Sequence, residues 1–201
     1  QTKSSDSKES FFDMLKKLEF NIDQFNVLKD YCDDKGIIFL STPDDEKSLD
    51  SLHELGVPAF KTSSGDLTNS LMIEKVAKKG LPLIMSTGMS SMAQVKEVVD
   101  NVRRWNDSLV ILHCTTSYPA QLADVNMNAM ISMKKELDIL VGYSDHTQGI
   151  IVPLVAASQG ACVIEKHITF DKKAKGPDHK ASIDYEELKT MVSAIREFEK
   201  L

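Results

Sequence analysis

A repeated pattern of short apolar runs most constrains the fold of this chain. Each run is followed by a polar or glycine-containing segment and then by an amphipathic stretch. The runs are IIFLS (37–41), PAFKT (58–62), LPLIMST (81–87), LVILHCT (109–115), DILVGYS (138–144) and ACVIEKH (161–167). Runs that are apolar almost throughout, instead of alternating, are typical of parallel strands covered by helices. The sequence therefore predicts six strand–helix units.

Apolar residues also recur at helical spacing outside these runs. Before the first run, the stripes are Phe11, Phe12, Leu15 and Leu18, and then Phe25, Leu28 and Cys32 in a helix that ends at Gly36. The later stripes are Leu49, Leu52 and Leu55; Leu71, Val76 and Ala77; Val95, Val98, Val99 and Val102; Ile151, Leu154, Val155 and Ser158; and Leu188, Met191, Val192 and Ile195. The fourth of these later stripes is nearly all apolar, so we expect it to be buried.

Two architectures place helices around a parallel sheet, the doubly wound sheet and the (β/α)₈ barrel. No G-x-G-x-x-G and no Walker motif follows any run, which disfavours a nucleotide-binding doubly wound sheet. A complete barrel takes about 250 residues, so six units would be strands 3 to 8 of one. Because the chain starts at Gln1, with no Met, we expect the first strands to lie outside it. Residues 1–201 are thus interpreted as a partial barrel domain.

Composition narrows the class of protein. The chain is 42% hydrophobic and 27% charged with a net charge of -6, which is ordinary for a globular domain and disfavours a general nucleic-acid binder. No apolar run reaches the length of a membrane span. Three cysteines without a C-x-x-C motif, Cys32, Cys114 and Cys162, favour free thiols in a reducing cytoplasm.

Polar or reactive residues close every run, where the C-terminal ends of parallel strands share one face. These residues are Ser41 and Thr42; Lys61 to Ser64; Ser86 and Thr87; His113 to Thr116; Ser144 to His146; and Glu165 to His167. We expect them to surround a single mouth. The alternative for each Ser or Thr is a helix N-cap.

Two histidines end consecutive runs at matching positions, His146 and His167. Neighbouring strands lie about 4.8 Å apart, so both imidazoles can reach one divalent metal ion. The alternative is that both are ordinary hydrogen-bonded histidines.

Lys61 closes an apolar run and needs an anionic partner if it is buried. A ligand phosphate or carboxylate would serve, and so would a salt bridge to Asp66 or another acid. Spacing alone leaves both alternatives open.

Seven segments together resemble the N-acetylneuraminate (sialic acid) synthase family. They keep the order and approximate spacing of that family from about residue 37 to 182: FLSTP, FKTSSGDLTN, LIMSTGMS, LHCTTSYP, GYSDHT, IEKHIT and KGPDHKAS. The resemblance implies a (β/α)₈ barrel that condenses phosphoenolpyruvate with N-acetylmannosamine and water, giving N-acetylneuraminate and phosphate. It also implies a divalent metal (Mn²⁺ or Mg²⁺), a cytoplasmic location and a homodimer of the full-length protein.

The resemblance also implies roles for particular residues. His146 and His167 match the metal ligands of the family. Contacts to phosphoenolpyruvate are implied for Thr42, Lys61, Ser64, Ser86, Thr116 and Ser144, although bacterial members often have Asn where Thr116 stands. Contacts to the sugar are implied for Gln1, Tyr118 and Asp178. Glu165 or Asp66 is the expected base, or Glu165 only orients a ligand.

Other functions stay open at this point. A sister synthase that makes legionaminic or pseudaminic acid would use another amino sugar with the same chemistry, and SSGDLTN looks more like the sialic and legionaminic branches. The family's first strand, with its E-I-G-x-N-H-type motif, and its C-terminal antifreeze-like (SAF) domain are absent from residues 1–201. We therefore expect the isolated chain to be inactive, and a fragment that at most binds phosphate or metal is the remaining alternative.

Overall fold

Five parallel strands and eight helices make up the protein in a computed structural model, which describes residues 10–201 apart from the side chains of Phe11 and Met14. The strands are β1 (Phe60–Thr62), β2 (Leu83–Ser86), β3 (Leu109–Cys114), β4 (Leu140–Asp145) and β5 (Ile164–Lys166). They form one sheet in the order β1-β2-β3-β4-β5, and every neighbouring pair is parallel. A doubly wound sheet reverses its strand order at a switch point. The sheet has no such reversal, so it is half of a barrel.

Helices connect the strands and flank the sheet. They are α1 (Phe11–Leu18), α2 (Ile22–Asp34), α3 (Glu46–Leu55), α4 (Ser70–Lys78), α5 (Met92–Val102), α6 (Met127–Leu137), α7 (Ile151–Ser158) and α8 (Tyr185–Phe198). Asn21, Asp45, Ser91 and Asp184 each accept a hydrogen bond from a first-turn backbone N–H, which fixes where four of these helices begin. No helix in residues 10–201 is long and apolar enough to cross a membrane.

The first predicted strand, residues 37–41, is not a strand, so five of the six expected strands form. In the part of the chain that the structure describes, no backbone hydrogen bond joins residues 38–43 to another strand, and Ile37 and Ile38 are exposed. An apolar extended segment becomes a strand only when a neighbour completes its hydrogen-bond ladder. In the described structure β1 pairs only with β2, so residues 37–41 have no strand beside them. The apolar composition of residues 37–41 does not carry this information.

Several predicted helix stripes include exposed residues, such as Leu28 in α2 and Val192 in α8, and the stripes of α4 and α7 also miss the buried face. In α4 Leu71 is exposed, whereas Met72 and Ile73 are buried. In α7 Ile151 is exposed, whereas Val152 is buried. Both helices contain consecutive apolar residues, so more than one face is compatible with the sequence, and packing against the sheet selects one.

The main core lies between the sheet and the helices. Side chains alternate across each strand, and the face that includes Phe60, Met85 and Ile111 packs against helix residues such as Val76 and Val95. The other face of the sheet is the concave inside of the half-barrel. Its residues at the carboxyl ends of the strands are described next.

Candidate active site

The carboxyl ends of all five strands place one side chain each on the concave face. Register and alternation put Lys61, Ser86, Cys114, Ser144 and Glu165 on this face, one from each strand in order. The residues of this face therefore lie together as expected. Other residues expected at the mouth occupy the alternate strand positions and point to the helix side of the sheet, namely Thr62, His113, Asp145 and Lys166.

Lys61 links the first strand to the last. Its Nζ donates a hydrogen bond of 2.8 Å to Ser86 Oγ and lies 3.4 Å from Glu165 Oε2. In a flat sheet, β1 and β5 would be about 19 Å apart, four strand spacings of about 4.8 Å, which is beyond the reach of this pair. The ion pair therefore reflects the curvature of the sheet towards its concave face.

Glu165 is held at both carboxylate oxygens. Ser144 Oγ donates a 2.6 Å hydrogen bond to Oε1, while Lys61 occupies Oε2. The Lys61 side chain is 13% exposed and that of Glu165 is 41% exposed. An anion entering the mouth thus meets a mostly buried cation whose present partner is within reach of solvent.

Asp66 lies apart from this pair. It accepts a 2.7 Å hydrogen bond from Ser63 Oγ in the 3₁₀ turn Ser64–Asp66. Burial, followed by the nearby Asp66 carboxylate, raises the pKa of Asp44. Of the two partners left open for Lys61, the structure shows an acid, and that acid is Glu165.

A cradle of polar groups lies beside Lys61, where the loops after β1, β2 and β3 approach one another. Gly88 N donates a 3.0 Å hydrogen bond to Ser64 Oγ. A Cβ atom on Gly88 would lie 2.9 Å from Ser64 Oγ and would overlap Thr116 Oγ1. Only glycine fits without movement, so the hydroxyl groups of Ser64 and Thr116 lie close together against the backbone of Gly88.

His146 and His167 lie next to each other at the same mouth. Their ring centres are 5.3 Å apart, and the Tyr118 ring lies 4.1 Å from His146 and 5.8 Å from His167. His146 Nδ1 donates a 2.9 Å hydrogen bond to the Thr115 carbonyl. Burial, more than any other effect, lowers the pKa of His146, although the carbonyl opposes the change.

This donor pair fits a divalent first-row metal. The Thr115 carbonyl fixes the Nδ1–H tautomer and leaves Nε2 of His146 as a free lone pair. Two imidazoles that ligate one ion at about 2.1 Å place their ring centres roughly 5 Å apart. Residues 10–201 contain no group of three or more His, Cys, Asp and Glu residues placed to hold an ion, so any further ligands would come from elsewhere.

The remaining predicted residues lie at different places. Asp178 is in the loop before α8, and its charge contributes, after burial and Cys114, to raising the pKa of Tyr118 to about 12. Thr42 follows the unpaired segment, and no hydrogen bond in the described part joins it to the mouth. Gln1 lies outside the described residues.

The sequence placed Cys114 at the mouth only as a member of the run end His113 to Thr116, and it did not indicate Gly88. Cys114 Sγ lies 3.6 Å from Ser64 Oγ and 3.8 Å from His146 Nδ1, and burial raises the pKa of its thiol. The strand alternation that paired Ser144 with His146 would also have found Cys114. The sequence points to Gly88 only weakly: it directly follows a run that ends in the hydroxyl residues Ser86 and Thr87.

The fold and the site together define a barrel-type protein with a mostly buried lysine and several polar side chains at its strand ends. The model of the NeuB family matches residues 1–201, and the chain belongs to this family. The family resemblance inferred from the seven segments is thereby confirmed.

Relatives with assigned names are synthases, which supports an enzyme. The chain is 47% identical over 193 residues to N,N'-diacetyllegionaminic acid synthase of Legionella pneumophila, covering 94% of this chain and 54% of the relative. It is 43% identical over 180 residues to human N-acetylneuraminate-9-phosphate synthase, covering 89% of this chain and 50% of the relative. The chain thus spans about half the length of these relatives.

Solved structures agree on the fold. N-acetylneuraminic acid synthetase from Leptospira borgpetersenii, in complex with citrate, matches with a TM-score of 0.88 and 35% identity over 90% of this chain and 64% of that one. Phospho-2-dehydro-3-deoxyheptonate aldolase of Thermotoga maritima matches with a TM-score of 0.76 and 15% identity over 89% of this chain and 56% of that one, which shows a shared fold alone.

Proposed function

We propose that the protein carrying this chain condenses phosphoenolpyruvate with N-acetylmannosamine and water, giving N-acetylneuraminate and inorganic phosphate. The observation that carries this proposal is the meeting at one mouth of Lys61, the cradle around Gly88 and the pair formed by His146 and His167. Membership of the family supports the reaction class. As the resemblance implies, the proposal includes a cytoplasmic homodimer.

Phosphoenolpyruvate carries its negative charge on a carboxylate and a phosphate. A chain of net charge -6 must gather its positive charge locally, and Lys61 does so from a mostly buried position. Hydrogen bonds to charged oxygens are stronger than neutral ones. The hydroxyl groups of Ser64, Thr116 and Ser86 would supply such donors near Lys61. Gly88 N–H and Ser144 now donate to Ser64 and Glu165, so they would have to exchange these partners to bind the substrate.

The bond changes place demands on the mouth. Carbon 3 of the enolpyruvate attacks the aldehyde carbon of the open-chain sugar, water adds at carbon 2, and C–O cleavage of the resulting tetrahedral intermediate releases phosphate. His146 and His167 would hold a divalent ion, and that ion would supply Lewis acidity towards the aldehyde oxygen. Glu165, held by Ser144 and Lys61, is placed to take the proton of the attacking water.

Asp66 is the second candidate for the base. Its hydrogen bond to Ser63 leaves one carboxylate oxygen available. The link from Glu165 to both Lys61 and Ser144 favours Glu165. Tyr118, whose ring lies beside both histidines, and Asp178, whose charge acts on Tyr118, are the proposed sugar contacts together with Gln1.

A sister synthase is the alternative. The 47% identity to the legionaminic acid enzyme slightly exceeds the 43% identity to the human sialic acid enzyme, whereas pseudaminic acid synthase of Campylobacter jejuni is 33% identical. These identities favour the N-acetylated hexose of a legionaminic or sialic acid synthase over that of a pseudaminic acid synthase. They do not distinguish the legionaminic from the sialic acid branch.

Phosphate release tests the proposal directly. The whole protein would be assayed with phosphoenolpyruvate, Mn²⁺ and a panel of N-acetylated hexoses. We expect phosphate to appear only with a sugar present, and fastest with N-acetylmannosamine. A faster reaction with a different acetamido sugar would establish a sister synthase. No phosphate with any sugar would contradict the enzymatic proposal and favour a chain that at most binds phosphate or metal.

A further inference from the structure

A buried ion pair lies directly behind the two histidines. Asp145 ends β4 and Lys166 ends β5, and the two residues are opposite each other in the strand register. Lys166 Nζ donates a 2.6 Å hydrogen bond to Asp145 Oδ2 and a second bond to the Thr147 carbonyl. The side chains of Lys166 and Asp145 are 2% and 0% exposed. The sequence pattern predicted Asp145 and Lys166 at the mouth with the other residues that close the runs, and this prediction is wrong, because both side chains are buried on the other face of the sheet.

Thr147 completes the cluster. Its backbone N–H and its hydroxyl each donate a 3.0 Å hydrogen bond to the Asp145 carboxylate. The carboxylate therefore accepts three hydrogen bonds, and Lys166 connects both sides of this tight turn to the next strand. We call Asp145, Thr147 and Lys166 the histidine clamp.

The histidine clamp points away from the mouth. Ser144 and Glu165 hydrogen-bond on the concave face, so alternation directs Asp145 and Lys166 to the helix side. Lys166 is therefore out of reach of a substrate. Its influence must pass through the backbone.

The position of the clamp in the chain gives it that influence. Asp145 and Thr147 are the residues on either side of His146, and Lys166, which bonds to both of them, is the residue directly before His167. A buried ion pair contributes little net stability, because desolvation offsets most of its attraction. What the pair does supply is a fixed distance between the ends of β4 and β5.

We propose that the histidine clamp sets the separation and orientation of His146 and His167, and that it thereby sets the affinity of the site for a divalent cation. This inference rests on the proposed function, because it assumes that both imidazoles bind the same ion. Asp145, Thr147 and Lys166 act as positioning residues.

A three-variant comparison tests the clamp in the whole protein. Mn²⁺ affinity would be measured by the electron paramagnetic resonance signal of the free ion, and folding by thermal unfolding without metal. We expect Lys166→Met to weaken Mn²⁺ binding about 10–100-fold, as loss of groups that support metal ligands does. Its unfolding temperature also falls, because Asp145 loses its buried partner.

The double variant Asp145→Asn with Lys166→Met separates position from stability. It leaves no unpaired charge, and the amide oxygen of the substituted side chain can still accept from Thr147, so the unfolding temperature recovers above that of Lys166→Met. The link between strands stays broken, so Mn²⁺ binding stays weak. Recovery of both properties would overturn the clamp and leave a purely structural ion pair.

Controls distinguish the remaining outcomes. Leu52→Ala truncates a buried residue of α3, away from the histidines, and should lower the unfolding temperature while Mn²⁺ affinity stays at its wild-type value. An equal loss of affinity in Leu52→Ala would overturn the clamp. Undiminished affinity in Lys166→Met would also refute the clamp while leaving the proposed function intact. A wild-type protein that binds no Mn²⁺ would refute the metal site and the clamp together.

Discussion

Residue by residue, the mouth contains groups whose hydrogen bonds are already committed and groups that are free to bind. His146 uses Nδ1 on the Thr115 carbonyl, and Ser144 uses its proton on Glu165. Nε2 of His146 remains open to a ligand. These existing hydrogen bonds fix the orientation of each side chain, and thereby the direction in which its remaining atoms can bind a ligand.

Substitution of His146 tests the metal assignment. His146→Ala removes one of two ligands, so we expect Mn²⁺-dependent phosphate release to fall at least about 100-fold. The matched control is His53→Ala, an exposed histidine of α3 that lies outside the mouth. Retained activity in His146→Ala would remove this histidine from the metal site.

Gly88 tests the close approach of the three loops. In Gly88→Ala the new methyl group overlaps Thr116, so we expect a loss of about 1–3 kcal/mol in the free energy of unfolding. A raised KM for phosphoenolpyruvate should accompany it. Urea unfolding and phosphate-release kinetics measure the two effects.

Gly65→Ala is the matched control for stability. A Cβ there would meet only Ser63 Oγ, at 3.5 Å, which is an ordinary contact. An equal loss of unfolding free energy in Gly88→Ala and Gly65→Ala would show that the close contacts at Gly88 do not cause the destabilisation.

The sequence located most residues of the mouth but not their partners. Polar residues at the ends of apolar runs were sufficient to bring Lys61, Ser144 and Glu165 to one face. The pairing of Lys61 with Glu165 was not predictable, because it depends on curvature that brings opposite edges of a sheet together. Apolar runs and polar ends carry no information on curvature.

Single elements are held to their neighbours by polar contacts as well as by apolar packing. His113, on the helix side of β3, donates from Nε2 to the Val125 carbonyl at 2.8 Å, and its ring centre lies 5.4 Å from that of Tyr143 in an edge-on arrangement. Val125 follows the 3₁₀ turn Leu122–Asp124 that leads to α6. This contact therefore ties β3 to the start of the next helix.

Acid should weaken that tie. Burial lowers the pKa of His113 below its unfolded value of 6.5, so the unfolded chain binds the proton more readily. Stability is then unaffected by this group above pH 6.5 and falls as the pH decreases from 6.5 towards the lower folded value.

We expect the urea midpoint of His113→Gln to decline less than that of the wild type between about pH 7 and pH 5, since Gln carries no titrating proton. The side-chain amide of Gln can still donate to Val125. Parallel decline of the two proteins would assign the acid sensitivity to other groups.

Elements differ in how well the sequence predicted them. The five strands that formed have a neighbour for their hydrogen bonds, whereas residues 37–41 have the same apolar composition and no partner in the described part. Helix α6 is missing from the predicted stripes, although Met130, Met133 and Leu137 are buried at helical spacing. Interspersed polar residues and methionines gave it a weak pattern.

Taken as a whole molecule, the sheet is curved but open. In residues 10–201 the strands β1 and β5 each have one paired side, and exposed strand edges favour association with other chains. Exposed apolar residues near the β1 side, including Ile37 and Ile38, add to this tendency.

We therefore expect residues 1–201, produced alone, to self-associate and to release no phosphate. Size-exclusion chromatography with light scattering measures the first property, and the phosphate assay the second. The whole protein is the control for both. A monodisperse monomer with near-normal turnover would contradict this expectation.

The ion pair between Lys61 and Glu165 has a consequence for turnover. The carboxylate is an internal competitor for the same ammonium group that a bound anion needs, so every anion must displace it on arrival. In the proposed reaction, the substrate and the phosphate product would then be held less tightly than by an unopposed lysine. The Glu165 carboxylate, which is part of the chain, would return to Lys61 as the product leaves and so assist its departure.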